Sequence, residues 1–161
     1  MNVDLGSVPL FADCSKRELK SIRSRCMPIR LPAGREVLGE GDRGQECVIV
    51  VEGTLDIEQN GNVIATAGPG EIVGEIAVIE GAASRRTATV TTATEAVLLV
   101  FGASDFRRLM SEHPAISSQV SATAVLRLAA DRDRSDDCTP SAATNADARP
   151  GCTARCGRSA R

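Results

Sequence analysis

The sequence predicts a mainly β domain with flanking helices, and three observations predict it. Between Ile29 and Phe101, short apolar runs recur between turns rich in Gly and Pro, the pattern of an antiparallel sandwich or barrel. Before Pro28 and after Gly102 the apolar residues return to helical spacing. Composition then breaks at Asp131: residues 131–161 contain no Val, Ile, Leu, Met or Phe. Such a segment cannot bury enough surface to offset its ordering entropy, so it reads as a disordered Ala/Ser/Asp/Arg-rich tail after a domain spanning 1–130.

The elements follow in order. Ser15 and Glu18 make a capping box, with Cys14 and Leu19 as its staple. Leu19, Ile22 and Cys26 share the face of the helix that follows, and Pro28 closes it. Ile29 and Leu31 alternate with Arg30, and Pro32-Ala33-Gly34 turns toward Val37-Leu38. Gly39 to Gly44 is an acidic, glycine-rich turn, and Val48 to Val51 is a short apolar strand ended by Glu52-Gly53. Leu55 and Ile57 lead to Asn60-Gly61, a type I′ hairpin signal, and Val63-Ile64-Ala65 returns. After Gly68-Pro69-Gly70, an alternating strand is expected from Thr87 to Thr92 and an apolar one from Ala96 to Phe101. Ser104 is the expected cap of a short helix carrying Phe106, Leu109 and Met110 inward. His113-Pro114 breaks it, and Ile116, Val120, Ala124 and Leu128 form one stripe of a last helix.

Composition excludes several functions. The chain has 161 residues, 19 Lys plus Arg against 21 Asp plus Glu, and a net charge of −2. A charge this balanced gives no field to hold a polyanion, so no nucleic acid is expected as a partner. Aromatics are 2%, with no Trp or Tyr, which excludes base-stacking platforms. The single histidine, His113, excludes metal sites built on several His ligands. No apolar run is long enough to cross a bilayer, and Met1 to Pro9 lacks a signal-peptide pattern. The chain is therefore expected to be cytoplasmic and away from the membrane, with its six cysteines as thiols. Cys14, Cys26 and Cys47 read as small core hydrophobes, and Cys138, Cys152 and Cys156 lack the spacing and fourth ligand of a zinc site.

One stretch departs from the β pattern. Gly74-Glu75-Ile76-Ala77-Val78-Ile79-Glu80-Gly81 has helical spacing over about two turns. Ala82-Ala83-Ser84 follows, then Arg85-Arg86 entering Thr87-Ala88-Thr89-Val90. A short helix presents free N–H groups at its start, a ready anion site, and an arginine fork clamps a phosphate bidentately. Glu75 can accept from ribose hydroxyls, and apolar strands can hold a base. The plainer readings are that Glu75 answers the helix dipole and that the arginines are gatekeepers of an edge strand.

GEIAVIEG followed by RRTATV resembles the phosphate-binding cassette of cyclic nucleotide-binding domains. The resemblance runs from about Val8 to Leu128 and includes the Gly39–Gly44 turn, the Glu52-Gly53 corner and the paired C-terminal helices, in that order. It implies an antiparallel eight-stranded jelly-roll β-barrel with an N-terminal helix, a short cassette helix and two C-terminal helices. It also implies roles. Glu75 would bind the ribose 2′-hydroxyl, Arg86 the cyclic phosphate with Arg85 as the alternative, and the N–H groups near Ile76 and Ala77 would help hold the phosphate. Thr87 would sit beside phosphate and base, and Gly41, Gly53 and Gly74 would serve turns and close approach. The last helix has no Tyr or Trp to cover the base, leaving Val125, Leu126, Leu128 or the Arg127 stem.

The resulting expectation is a binding module and not an enzyme: a cyclic AMP sensor without its own output domain, since nothing after Leu128 has the periodicity of a helix-turn-helix. Its signal would pass to an effector protein whose identity is unknown, and the last helix offers a route to a homodimer. The alternatives are a degenerate domain serving protein interaction and a cyclic GMP-selective sensor in which the Thr87 hydroxyl reads guanine. A metal oxygenase on a similar barrel would need His and carboxylate ligands on its strands, and His113 lies after them.

Overall fold

The computed structural model describes residues 3–81 and 83–136. Two short 3-10 turns, Leu5–Ser7 and Pro9–Phe11, lead into α1, Lys16–Arg23. The Ser15 side chain accepts from the Glu18 backbone N–H while the Glu18 carboxylate accepts from the Ser15 N–H, the reciprocal cap expected from the sequence. Eight strands follow. They are β1 (Cys26–Leu31), β2 (Glu36–Leu38), β3 (Glu46–Glu52), β4 (Leu55–Gln59), β5 (Asn62–Ala67), β6 (Ile72–Val73), β7 (Thr89–Thr92) and β8 (Ala96–Gly102). A short helix α2, Glu75–Glu80, interrupts them between β6 and β7, and α3 (Ala103–Glu112) and α4 (Pro114–Asp136) end the described chain.

The strands form two four-stranded antiparallel sheets, β1-β8-β3-β6 and β2-β7-β4-β5, which is jelly-roll order. Asn60 and Gly61 turn the β4–β5 hairpin with φ of 52° and 78°, the two positive values a type I′ turn requires. Sheet β1-β8-β3-β6 is covered on both faces, which explains why β3 and β8 read as continuous apolar runs. Cys47 and Ile49 of β3, with Leu99 and Phe101 of β8, face Phe11, Ile22, Phe106, Leu109, Ile116 and Val120. Val48, Val50 and Leu98 face the second sheet through Leu38, Leu55, Ile57 and Val90. Ile116, Val120 and Ala124 are buried and Leu128 half-buried, so the α4 stripe packs on this frame.

Four local expectations change. Cys26 lies in β1, not on the first helix, and Pro28 sits inside β1, at the edge of its sheet, where a missing N–H is tolerated. The cap of α3 is Gly102, with no side-chain hydrogen bond, and Ser104 lies within the first turn. Thr87 and Ala88 form a bend and β7 begins at Thr89, because the backbone of Arg85 and Arg86 pairs with the Asp42 turn instead. Helix α4 continues past Ala130 to Asp136; the rest of the expected tail, including Cys138, Cys152 and Cys156, lies outside the described residues.

Charged pairs tie the helices to the sheet edge. Glu112 at the end of α3 accepts from Arg25 at 2.5 Å and from Arg108 at 2.9 Å, and these guanidiniums hold its carboxyl at a pKa of about 2, below the ordinary 4.5. A depressed folded-state pKa stabilises fully above the unfolded value, and that contribution is lost as pH falls toward 2. Glu112→Gln is therefore expected to make stability less pH-dependent between about 4.5 and about 2, measured by denaturant unfolding at several pH values. An unchanged acid profile would show that the pairing contributes nothing.

Candidate functional site

The site is built around the start of α2. Gly74, with φ of 81°, turns the chain from β6 into the helix. A Cβ there would lie 2.4 Å from Nη1 of Arg86 and 2.8 Å from the Leu38 side chain, so both conformation and contact require glycine. The next residues of α2 press on the acidic turn: a Cβ at Gly44 would lie 2.1 Å from Cβ of Ala77. That turn in turn fixes Arg86. The Arg86 N–H donates to the Asp42 carbonyl at 2.8 Å and its carbonyl accepts from the Gly41 N–H at 2.9 Å.

The guanidinium of Arg86 points inward. The residue is 8% exposed, its Nη2 donates to the Glu46 carbonyl at 2.7 Å, and its Nη1 lies 3.5 Å from the Gly74 carbonyl. No carboxylate among the described residues forms an ion pair with it. Burial lowers its pKa, the direction expected for a charge taken out of water without a counter-ion. Arg85 differs: it is exposed and donates to the Gly41 carbonyl at 2.7 Å.

Glu75, the first residue of α2, is 1% exposed, and its Oε1 accepts from Nη1 of Arg127 at 2.8 Å. The same Nη1 also donates to the Ile72 carbonyl. Burial pushes the Glu75 carboxyl up, and the Arg127 charge pulls it back down. Cys47, beneath the site in β3, is fully buried, and its thiol is pushed well up by burial and the nearby Glu75 carboxylate. A thiol in such surroundings is inert packing.

Arg85, Arg86, Glu75 and Arg127 open onto one cavity of about 370 Å³. Gly74, Glu75, Ile76, Ala77, Arg85, Arg86 and Thr87 line its polar end, so the structure brings together the residues expected around ribose and phosphate. Leu38, Ile57, Ile64, Val73 and Val90 supply the apolar wall. Thr123, Leu126, Arg127 and Ala130 of α4 close one side, whereas Val125 and Leu128 do not reach it. Thr87 is exposed, and its carbonyl accepts from Gln59 Nε2 at 3.1 Å, which ties the bend to the β4–β5 hairpin. One end thus offers a buried guanidinium without an ion pair among the described residues, together with helix N–H groups; the middle offers a carboxylate, and the far end apolar walls. The arrangement suits an anion linked through hydroxyl-bearing carbons to a flat apolar group.

Residues 28–113 match the cyclic nucleotide-binding domain family. The chain belongs to that family. A cyclic nucleotide-gated potassium channel of Rhizobium etli is 33% identical over 123 residues, covering 76% of this chain and 34% of the channel. A CRP-like cAMP-activated global transcriptional regulator of Mycobacterium tuberculosis is 23% identical over 125 residues, 74% of this chain and 55% of the regulator. The catabolite activator protein of Thermus thermophilus superposes with a TM-score of 0.64 at 24% identity, over 80% of this chain and 62% of that one. This cyclic nucleotide-binding domain thus spans about a third of the channel's length.

The Glu75–Arg127 pair was missed by sequence reasoning, which weighed Arg127 only as a cover for the base. The signal was present: Arg127 lies two turns after Val120, so a charge falls beside the buried stripe of α4. Gln59 and Gly44 carry no such signal, because their partners are set by tertiary contact. Among the described residues no group of His, Cys, Asp or Glu could hold a metal ion, and no helix is long and apolar enough to cross a membrane.

Proposed function

We propose that this cyclic nucleotide-binding domain is a cytoplasmic sensor of cyclic AMP, acting by binding and not by catalysis. The observation that carries the reading is Arg86: a buried guanidinium with no carboxylate partner among the described residues is costly alone and stabilised by an anion. The cyclic phosphate supplies that anion, held by Arg86 and by the N–H groups at the start of α2, with Arg85 at the rim. Glu75 keeps one oxygen on Arg127 and accepts the ribose 2′-hydroxyl with its carboxylate. The base lies against Ile57, Ile64 and Val90 under Leu126.

The same walls support a preference for adenine. Thr87 is one hydroxyl able to meet a guanine 2-amino group; Ile57, Ile64 and Val90, against which the base lies, offer nothing to guanine O6 and N1, although Thr66, Glu71 and Thr123 also line the cavity. An unpaired buried polar edge costs about 1–3 kcal/mol, more than one neutral hydrogen bond of about 1 kcal/mol returns. The name of the Mycobacterium tuberculosis relative, cAMP-activated, supports the same choice. The signal passes to an effector protein, and Val125, 64% exposed on α4, marks a face on which a second copy can pack. Nucleic acid and membrane are not part of the reading.

The test is a competition titration with cyclic AMP, cyclic GMP and 2′-deoxy cyclic AMP. Cyclic AMP is expected to bind about tenfold tighter than cyclic GMP, and the 2′-deoxy ligand to lose about 1.5–3 kcal/mol, a loss that shrinks in Glu75→Gln. In Thr87→Ala the gap between the two nucleotides should widen. Tighter cyclic GMP binding that is lost in Thr87→Ala would make the domain a cyclic GMP sensor, and equal binding of the 2′-deoxy ligand would remove Glu75 from the ribose.

A further inference from the structure

Helix α2 has only six residues, too few to hold its own shape in water. Its start is fixed from α4, through Arg127 on Glu75. Its end carries no basic residue and finishes on Glu80, an anion at the negative end of the helix dipole. The carbonyl of Val78 belongs to the last turn, whose acceptors need partners from elsewhere. Arg107 of α3 provides one: its Nε and Nη2 both donate to the Val78 carbonyl, at 3.3 and 2.9 Å. Arg107 is not among the residues that line the cavity.

We propose that Arg107 is a positioning residue for the nucleotide site, pinning the C-terminal end of α2 so that its N-terminal N–H groups stay aimed at the bound anion. Its fork supplies the hydrogen bonds and the positive charge that the end of α2 lacks. Arginines on the two C-terminal helices therefore grip the cassette helix at both ends, Arg127 at Glu75 and Arg107 at Val78. Without Arg107, α2 frays from Gly81 backward, and the nucleotide must reorder it on binding. The role in affinity rests on the cyclic nucleotide reading above; the pinning of α2 does not.

The experiment is hydrogen exchange on the full chain without nucleotide, paired with cyclic AMP titration, for Arg107→Ala, Arg107→Lys and the neighbouring Arg108→Ala. In Arg107→Ala, exchange at Ala77 to Gly81 should rise about tenfold while β3 and β8 exchange as in the wild type, and affinity should fall about fivefold. Arg107→Lys, which keeps the charge but not the fork, should lie between, and Arg108→Ala should match the wild type. Unchanged α2 exchange in Arg107→Ala, faster exchange throughout the domain, or the same change in Arg108→Ala would overturn the proposal. Normal affinity in Arg107→Ala would overturn its role in binding. A wild type that ignores cyclic AMP would sink the functional reading, and with it the role in affinity, while the exchange data still decide whether Arg107 pins α2.

Discussion

Arg86→Ala is expected to abolish measurable cyclic nucleotide binding while the domain stays folded. The guanidinium is buried, held by the Glu46 carbonyl, and lacks a carboxylate among the described residues. Removing one side of a buried charge pair costs about 2–5 kcal/mol, or about 30- to 5,000-fold in affinity. The fold should not suffer: the variant keeps the backbone bonds of residue 86 to Gly41 and Asp42 and removes a charge whose burial is unfavourable without ligand. Arg85→Ala is the comparison: that side chain sits at the rim, exposed and bound to the Gly41 carbonyl, so its loss should weaken binding far less. The measurement is a titration of both variants beside a thermal melt. Loss of binding in Arg85→Ala with normal binding in Arg86→Ala would reverse the assignment of the phosphate ligand.

Arg127→Ala has the second-largest expected effect, and it acts on stability. It strips the partner from a carboxylate that is 1% exposed, and burial already pushes that carboxyl up. Breaking a fully buried pair costs about 3–5 kcal/mol; because the Arg127 side chain is 24% exposed, about 2–3 kcal/mol is expected here, on the order of 10 °C in Tm. Glu75→Gln in the Arg127→Ala background should recover most of that loss, because the stranded charge is gone. A melt within about 2 °C of the wild type for Arg127→Ala alone would show that the pair does not hold α4 against the cassette.

Much of this molecule was legible from local pattern. The Ser15–Glu18 box, the Asn60-Gly61 turn and the Ile116 stripe each depend on residues close in sequence, and each stands as read. The cassette was legible because six consecutive residues carry its helix between two glycines of positive φ. What local pattern could not show were partners brought in from afar. Thr87 and Ala88 have strand propensity, yet the pairing of Arg85 and Arg86 with the Asp42 turn delays β7 to Thr89. Cys26 has helical spacing from Ile22, yet the ladder to Phe101 takes it into β1. Arg127 and Arg107 look like solvated charges on a helix until the fold sets them against Glu75 and Val78.

The most direct measurement is calorimetric titration of the wild-type chain with cyclic AMP. A cavity of about 370 Å³ with the buried Arg86 guanidinium at its polar end is expected to take one nucleotide per chain, saturably, with a rise in Tm that grows with ligand concentration. A folded protein that gives no heat and no shift in Tm at millimolar cyclic AMP or cyclic GMP would contradict the account, and would leave the domain as an interaction module on a cyclic nucleotide-binding frame.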